Sequence, residues 1–243
     1  MNNLIANWDA PKNISAITTL RSVGKSLAPY DQNNLALHVG DNEKHVLENR
    51  HALIKNLNLP GDPIWLNQTH STKCIRVEED DDDREADATV TQSKETPLVI
   101  MTADCLPIVL CNKSGTEIAA IHAGWRGLAN GIIENTLNKI ISKNETMLAW
   151  IGPSICESCF EIGNDVYDSF IKNYPFTKET FNINLKSSYA NLPKMAELIL
   201  NANGVENVYQ SNACTYELKN KFYSYRREKQ TGRIATLIWF NNV

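Results

Sequence analysis

The sequence predicts an α+β fold, a single domain over residues 1–243 in which helices cover mixed β-sheets. Three observations lead there. Apolar residues recur at helical spacing in four stretches, and short apolar runs of strand type fill much of the remainder. The strand-like runs also cluster together instead of alternating strictly with helices, which disfavours a doubly wound sheet. No internal repeat and no Pro- or Ser-rich linker divides the 243 residues, a length sufficient to bury a core.

The elements follow in order. A first helix fits Glu43–Leu57, with Val46, Leu47, Leu53, Ile54 and Leu57 on one face. Strand-like runs come next at Ile64–Leu66, Lys73–Val77, Leu98–Thr102, Pro107–Cys111 and Glu117–His122. A second helix fits Arg126–Ile141 through Leu128, Ile132, Ile133, Leu137, Ile140 and Ile141, and Met147–Ile151 is a further strand. A third helix fits Asn164–Tyr174 through Val166, Tyr167, Phe170, Ile171 and Tyr174. The fourth, Leu192–Asn203, has Pro193 in its first turn and Gly204 as a stop signal. Phe222–Tyr225 and Ile234–Phe240, rich in aromatic and β-branched residues, close the chain as strands.

Composition limits the function. With 42% hydrophobic and 21% charged residues the chain is of ordinary globular type. Twenty-four Lys and Arg against 28 Asp and Glu give a net charge of −4, which argues against general nucleic-acid binding or a membrane-surface role. That charge is uneven: Glu78–Glu85 holds seven acids and one base, so it contributes −6 and the rest sums to +2. The run reads as a solvated loop. The first residues lack the basic and apolar segments of a signal peptide, and the longest apolar region, Pro97–Cys111, is interrupted by Asp104 and too short to span a bilayer. Six cysteines are too sparse for a disulfide scaffold, so a cytoplasmic protein with reduced thiols is expected.

Each cysteine and histidine can be weighed singly. His45 and His51 lie among the charges of the first helix and read as surface residues, while His38 stays undecided at a strand or turn edge. His70 and His122 each end an apolar run and precede turn-forming residues, a setting that directs a side chain into a cleft. Between them lie Asp104 and Cys105, an acid and a thiol inside an apolar stretch, where a carboxylate needs a cation or hydrogen-bond donors. The spacings, 35 residues from His70 to Cys105 and 17 more to His122, match no short metal signature, and a core-edge histidine or small buried thiol is the competing reading. Cys156-Glu157-Ser158-Cys159 is a CxxC without a second CxxC, a paired His or a thioredoxin-like setting, so a redox role is the weaker reading. Gly124-Trp125-Arg126-Gly127 enters a helix, whose free N–H groups suit an anion; a packed turn with Arg126 solvated fits equally well.

Several segments together carry a resemblance. Trp65-Leu66-Asn67-Gln68-Thr69-His70, Ala86-Asp87-Ala88-Thr89-Val90, Thr102-Ala103-Asp104-Cys105-Leu106-Pro107 and Ala120-Ile121-His122-Ala123-Gly124-Trp125-Arg126-Gly127 resemble the YfiH/YlmD family. So do His38-Val39-Gly40-Asp41, Ile151-Gly152-Pro153, Tyr223-Ser224-Tyr225-Arg226-Arg227 and Thr231-Gly232-Arg233, which extends the likeness over essentially the whole chain. One loop departs: the family's paired glycines are missing from Thr18–Ser26, so nothing about that loop carries over.

The family was formerly labelled polyphenol oxidase or laccase-domain and is now described as purine nucleoside phosphorylases. The resemblance implies a single α+β domain similar to toxin-deamidase-like cysteine hydrolases, and a metal site formed by His70, Cys105 and His122. Zn²⁺ is the expected ion, with Cu²⁺, which binds such sites more tightly, as the less favoured one. It implies phosphorolysis of adenosine, inosine and methylthioadenosine with adenosine deaminase activity; the alternative is removal of a wrongly added amino acid from a UDP-muramyl peptidoglycan precursor. Cys105 and Asp104 are the candidate catalytic residues, and Arg126 and Gln68 the candidate substrate-binding ones. Three protein ligands leave the fourth position open, as catalytic zinc sites do, whereas a non-enzymatic zinc-binding module would close it. A coupled copper cluster needs several more histidines than the three that remain, His38, His45 and His51.

Overall fold

The computed structural model describes residues 3–79 and 84–241. Strands β1 (Asn3–Ile5) and β2 (Ile14–Thr19) precede helix α1 (Glu43–Leu57). Six strands follow: β3 (Ile64–Trp65), β4 (Cys74–Arg76), β5 (Ala88–Thr91), β6 (Leu98–Thr102), β7 (Leu106–Asn112) and β8 (Ile118–Ala123). Helices α2 (Trp125–Ala129) and α3 (Ile132–Lys139) lead to β9 (Met147–Ile151) and β10 (Glu161–Ile162). The chain continues through α4 (Asn164–Asn173), β11 (Phe181–Ile183), β12 (Ser188–Ala190), α5 (Leu192–Ala202), β13 (Asn207–Gln210) and β14 (Ile234–Phe240).

Two mixed sheets stack face to face. One has the order β1-β2-β14-β6-β3 and the other β13-β9-β7-β8-β5-β4, while β10-β12-β11 form a small third sheet. Period-two alternation explains the stacking. In β14, Ile238 and Phe240 enter the core between the sheets, where they join Val109, Ile118 and Trp150 of the opposite sheet. Ala235, Leu237 and Trp239 point the other way and pack with Leu53 of α1. The second face of the six-stranded sheet, with Ile108, Leu110 and Ile121, packs against residues of α2 to α5 such as Leu128, Ile133, Phe170 and Met195. The layers therefore run helix, sheet, sheet, helices, in agreement with the expected α+β class. Both sheets are covered on both faces, so their central strands read as continuous apolar runs.

Some expected elements change. The helix expected over Arg126–Ile141 is broken at Gly131, whose φ of 97° starts α3 afresh, and α3 ends at Lys139, with Ile140 extended and Ile141 69% exposed. Leu47, expected on the buried face of α1, is 49% exposed, and Val46, Asn49 and Leu53 form that face. Phe222–Tyr225 is no strand: Phe222 and Tyr223 are buried without a ladder partner, and Tyr223 Oη donates to the Tyr30 carbonyl at 2.7 Å. Of the acidic run, residues 80–83 lie outside the described residues, while Glu78 accepts hydrogen bonds from Thr91 Oγ1 and the Gln92 N–H. No helix among the described residues is long and apolar enough to cross a membrane.

Candidate metal centre

The sheet topology gathers the three candidate ligands at one end of the sandwich. Strand β3 runs parallel to β6, so the loop after β3, which carries His70, lies beside the end of β6. From Thr102 at that end, residues 103–105 cross from one sheet to the other and bring Cys105 to the start of β7. Antiparallel pairing of β7 with β8 sets His122 opposite Pro107, next to the same crossing. The donor atoms of His70, Cys105 and His122 lie within 4.8 Å of one another. Cys105 Sγ is 3.8 Å from His70 Nε2, and the two imidazole rings meet edge to face with centroids 4.8 Å apart.

Asp87 organises this cluster. It is fully buried at the start of β5, and its Oδ1 is 2.7 Å from His122 Nδ1. The same carboxylate accepts from the backbone N–H groups of Thr69, His70 and Ser71 and from Ser71 Oγ. These contacts stabilise His70 at its left-handed φ of 61°. Burial alone would raise the Asp87 carboxyl, but the hydrogen bonds from His122 and Ser71 outweigh it and hold the group down at about 2. With Nδ1 committed to Asp87, His122 has Nε2 available as a ligand atom.

The electrostatics favour ligand protonation states. Burial opposes ionisation of Cys105, yet contact with His122 and then His70 lowers its pKa below the ordinary thiol range. His122 shifts upward for the reciprocal reason, despite its burial, through Cys105 and Asp87. A thiolate facing two imidazoles is a donor set suited to Zn²⁺. The space is also kept clear: a Cβ at Gly124 would lie 2.9 Å from His70 Cδ2 and 3.1 Å from Cys105 Sγ. These residues fit a zinc ion.

A cavity of about 360 Å³ opens on the cluster, with His38, Gln68, Thr102, Tyr225 and Arg233 also in its lining. Gln68 lines it, but both ends of its amide are engaged with the Met101 backbone at 2.8 Å. Asp104 does not line it. At a φ of 92°, its oxygens accept from Thr215 Oγ1 at 2.6 Å, Ser224 Oγ at 3.0 Å and the Arg226 N–H at 2.7 Å. Arg126 does not line it either; it is exposed and its guanidinium packs 4.1 Å from the Trp125 ring centre. The arginine of the cavity is Arg233, anchored by bonds to the Thr231 and Gly232 carbonyls. His38, undecided in the sequence, lines the cavity, and burial with nearby Arg233 and Arg50 lowers its pKa. His45 and His51 stay on α1, outside the cavity. Sequence reasoning missed Asp87, although a carboxylate between Ala86 and Ala88 carries the same cue as Asp104. It also left Tyr225 and Arg233 without a role.

Comparison with known proteins matches this architecture. Residues 15–241 match the family described as multi-copper polyphenol oxidoreductase laccase. A Haemophilus influenzae protein named purine nucleoside phosphorylase is 45% identical over 237 residues, 96% of this chain and 97% of its own. The Escherichia coli protein named purine nucleoside phosphorylase YfiH is 40% identical over 237 residues, 97% of this chain and 98% of its own. Among solved structures, Neisseria meningitidis protein NMB0706 superposes with a TM-score of 0.95 at 39% identity over the whole of both chains. YlmD from Geobacillus stearothermophilus gives 0.82 at 26% identity over 95% of this chain and 93% of its own. Sequence and fold agree along nearly the full length, and the chain belongs to the YfiH family.

Proposed function

We propose that the protein is a zinc-dependent purine nucleoside phosphorylase acting on adenosine, inosine and methylthioadenosine, with adenosine deaminase activity. The observation that carries this reading is the His70–Cys105–His122 cluster, oriented by Asp87, at the base of a cavity large enough for a small molecule. The names of the full-length relatives support the substrate class. When bound, zinc supplies a Lewis acid that activates water or polarises a substrate oxygen.

The chain's own residues divide the remaining work. Arg233 offers a guanidinium within the cavity and is our candidate for holding phosphate against the ribose. Arg126, expected in that role, is too far out on the surface to be the first choice, and serves as the control position. The Tyr225 ring presents a face on which a purine can stack. Thr102, whose buried hydroxyl lacks a partner among the described residues, supplies one free hydrogen-bonding group. Gln68 and Asp104 act as positioning residues: Gln68 pins the end of β6, and Asp104 fixes the crossing that delivers Cys105.

A second reading has one observation in its favour. Cys105 and His122, whose donor atoms lie within 4.8 Å of each other, make a thiol–imidazole pair of the kind that hydrolyses amides, as in the cysteine hydrolases to which the family is similar in fold. Its substrate would be a UDP-muramyl precursor carrying a misplaced amino acid, the alternative that the family resemblance implies. Metal-defined protein is incubated with adenosine, inosine, methylthioadenosine and a UDP-muramyl-amino acid, with and without phosphate. Phosphate-dependent release of free base supports the first reading. Amino-acid release with inert nucleosides replaces it with the second. No turnover of any substrate, together with loss of fold in Cys105→Ala, leaves a structural zinc module.

A further inference from the structure

The Cys156-x-x-Cys159 pair stands alone in the sequence but has partners in the fold. Cys156 and Cys159 bracket one tight turn, closed by the Cys159 N–H to the Cys156 carbonyl at 3.1 Å. Cys214 reaches the same place from the loop after β13, 58 residues beyond Cys156. Its sulphur accepts the Cys156 N–H at 3.4 Å. Glu217 completes the group, with Oε1 3.8 Å from Cys159 Sγ.

All four donor atoms lie within 4.8 Å of one another. In a tetrahedral zinc site with Zn–S bonds of about 2.3 Å, sulphur atoms are about 3.8 Å apart. The donor atoms thus lie within about 1 Å of the spacing that such an ion requires. The backbone is already fixed. Ser154 pairs with Cys214, its N–H donates to the Ala213 carbonyl at 3.2 Å, and the Thr215 N–H returns to the Ser154 carbonyl at 2.9 Å. Three sulphurs and one carboxylate select a soft-accepting ion such as Zn²⁺ over Mg²⁺ or Ca²⁺. Four protein ligands make a closed site, unlike the open one at His70, Cys105 and His122.

We propose that Cys156, Cys159, Cys214 and Glu217 form a second, structural zinc site. Binding displaces the thiol protons to solvent. The ligands adjoin in sequence the residues that hold Asp104: the Ile155 N–H donates to the Asp104 carbonyl at 3.0 Å, and Thr215 Oγ1 donates to its carboxylate. The second ion thus clamps two loops behind the residue preceding Cys105.

The test is metal content of the full chain, stripped under a thiol reductant, reloaded with Zn²⁺ and desalted. The His70→Ala/His122→Ala variant is expected to retain one equivalent per chain. With Co²⁺ in its place, that equivalent gives the intense thiolate-to-metal absorption of a three-sulphur site. Cys156→Ser/Cys159→Ser is expected to hold one equivalent fewer than the unaltered protein. A histidine variant that retains no metal, or a serine variant with unaltered content, overturns the proposal. If the serine variant does not fold, the histidine variant and its cobalt spectrum decide alone.

Discussion

Replacing Asp87 with Asn tests the logic of the metal centre, because the substitution keeps shape and removes one acceptor. Asp87 Oδ1 serves the His70 N–H at 3.0 Å and His122 Nδ1 at 2.7 Å, while Oδ2 serves the Thr69 N–H at 3.2 Å, the Ser71 N–H at 2.6 Å and Ser71 Oγ at 2.6 Å. An asparagine must turn its NH₂ toward one set. Facing the Oδ2 set, it opposes two backbone N–H groups that cannot become acceptors, at about 1–3 kcal/mol each. Facing the Oδ1 set, it opposes only one, because His122 can move its proton to Nε2 and accept at Nδ1. The second orientation is cheaper, and it leaves the ligating nitrogen protonated. Asp87→Asn is therefore expected to lose 10–100-fold in zinc affinity, about 1.4–2.7 kcal/mol. The unsatisfied His70 N–H, at about 1–3 kcal/mol, lowers the melting temperature by roughly 2–12 °C. Chelator competition measures the affinity and calorimetry the melting. A folded Asp87→Asn protein with unaltered zinc affinity refutes the assigned tautomer.

Three further tests probe separate parts of the structure. Gly124→Ala is compatible with its backbone, φ −61° and ψ 157°, but sets a methyl 2.9 Å from His70 Cδ2; zinc affinity should fall at least tenfold with the fold retained, as read by chelator competition alongside far-UV dichroism. Arg233→Lys keeps the charge but not the guanidinium fork, so the KM for phosphate should rise about tenfold while Arg126→Ala changes it less than about twofold. Equal effects at the two positions would move the anion site to the surface. Glu117, fully buried, accepts from Arg76 Nη1 at 2.9 Å and from the Ile141 and Ser142 N–H groups, which outweigh burial and lower its pKa. A lowered carboxyl stabilises the fold above the ordinary glutamate value of about 4.3 and loses that contribution as pH falls below it. Glu117→Gln should cost roughly 1.5–3 kcal/mol at neutral pH in urea unfolding, with the difference from the unaltered protein shrinking in acid.

The elements legible in the sequence are those whose burial is one-sided or complete. The strands β6 and β14 are apolar at all but one position each because each face meets its own layer, and their expected bounds coincide with the observed ones. Strand β2, Ile-Ser-Ala-Ile-Thr-Thr, escaped notice because polar side chains interrupt it. Those groups pair within the fold, as Thr18 Oγ1 does with Thr236 Oγ1 at 2.7 Å. Strand β5 is short and half threonine, yet fully buried between β8 and β4, and Asp87 immediately precedes it. Conversely, Phe222–Tyr225 has strand composition but forms no ladder: Phe222, Tyr223 and Ser224 are buried while Tyr225 is exposed, and composition cannot report a missing ladder partner.

The same distinction governs the two thiol clusters. In each, the candidate ligands come from segments that only the fold makes neighbours, so spacing in the chain does not reveal the full set. The CxxC looked idle because its third sulphur, Cys214, arrives from the far end of β13. For carboxylates the sequence argument held as physics but not as a role. An acid in an apolar run must find donors, and both Asp87 and Asp104 do. Which one meets the imidazole was settled by pairing: β5 lies antiparallel to β8, and the His122 N–H donates to the Asp87 carbonyl at 2.7 Å. That backbone bond fixes the two side chains at adjacent positions on one sheet, so orienting His122 is a property of strand register. A substitution that slips β5 by one residue would turn Asp87 to the opposite face and disarm the metal centre without touching a ligand.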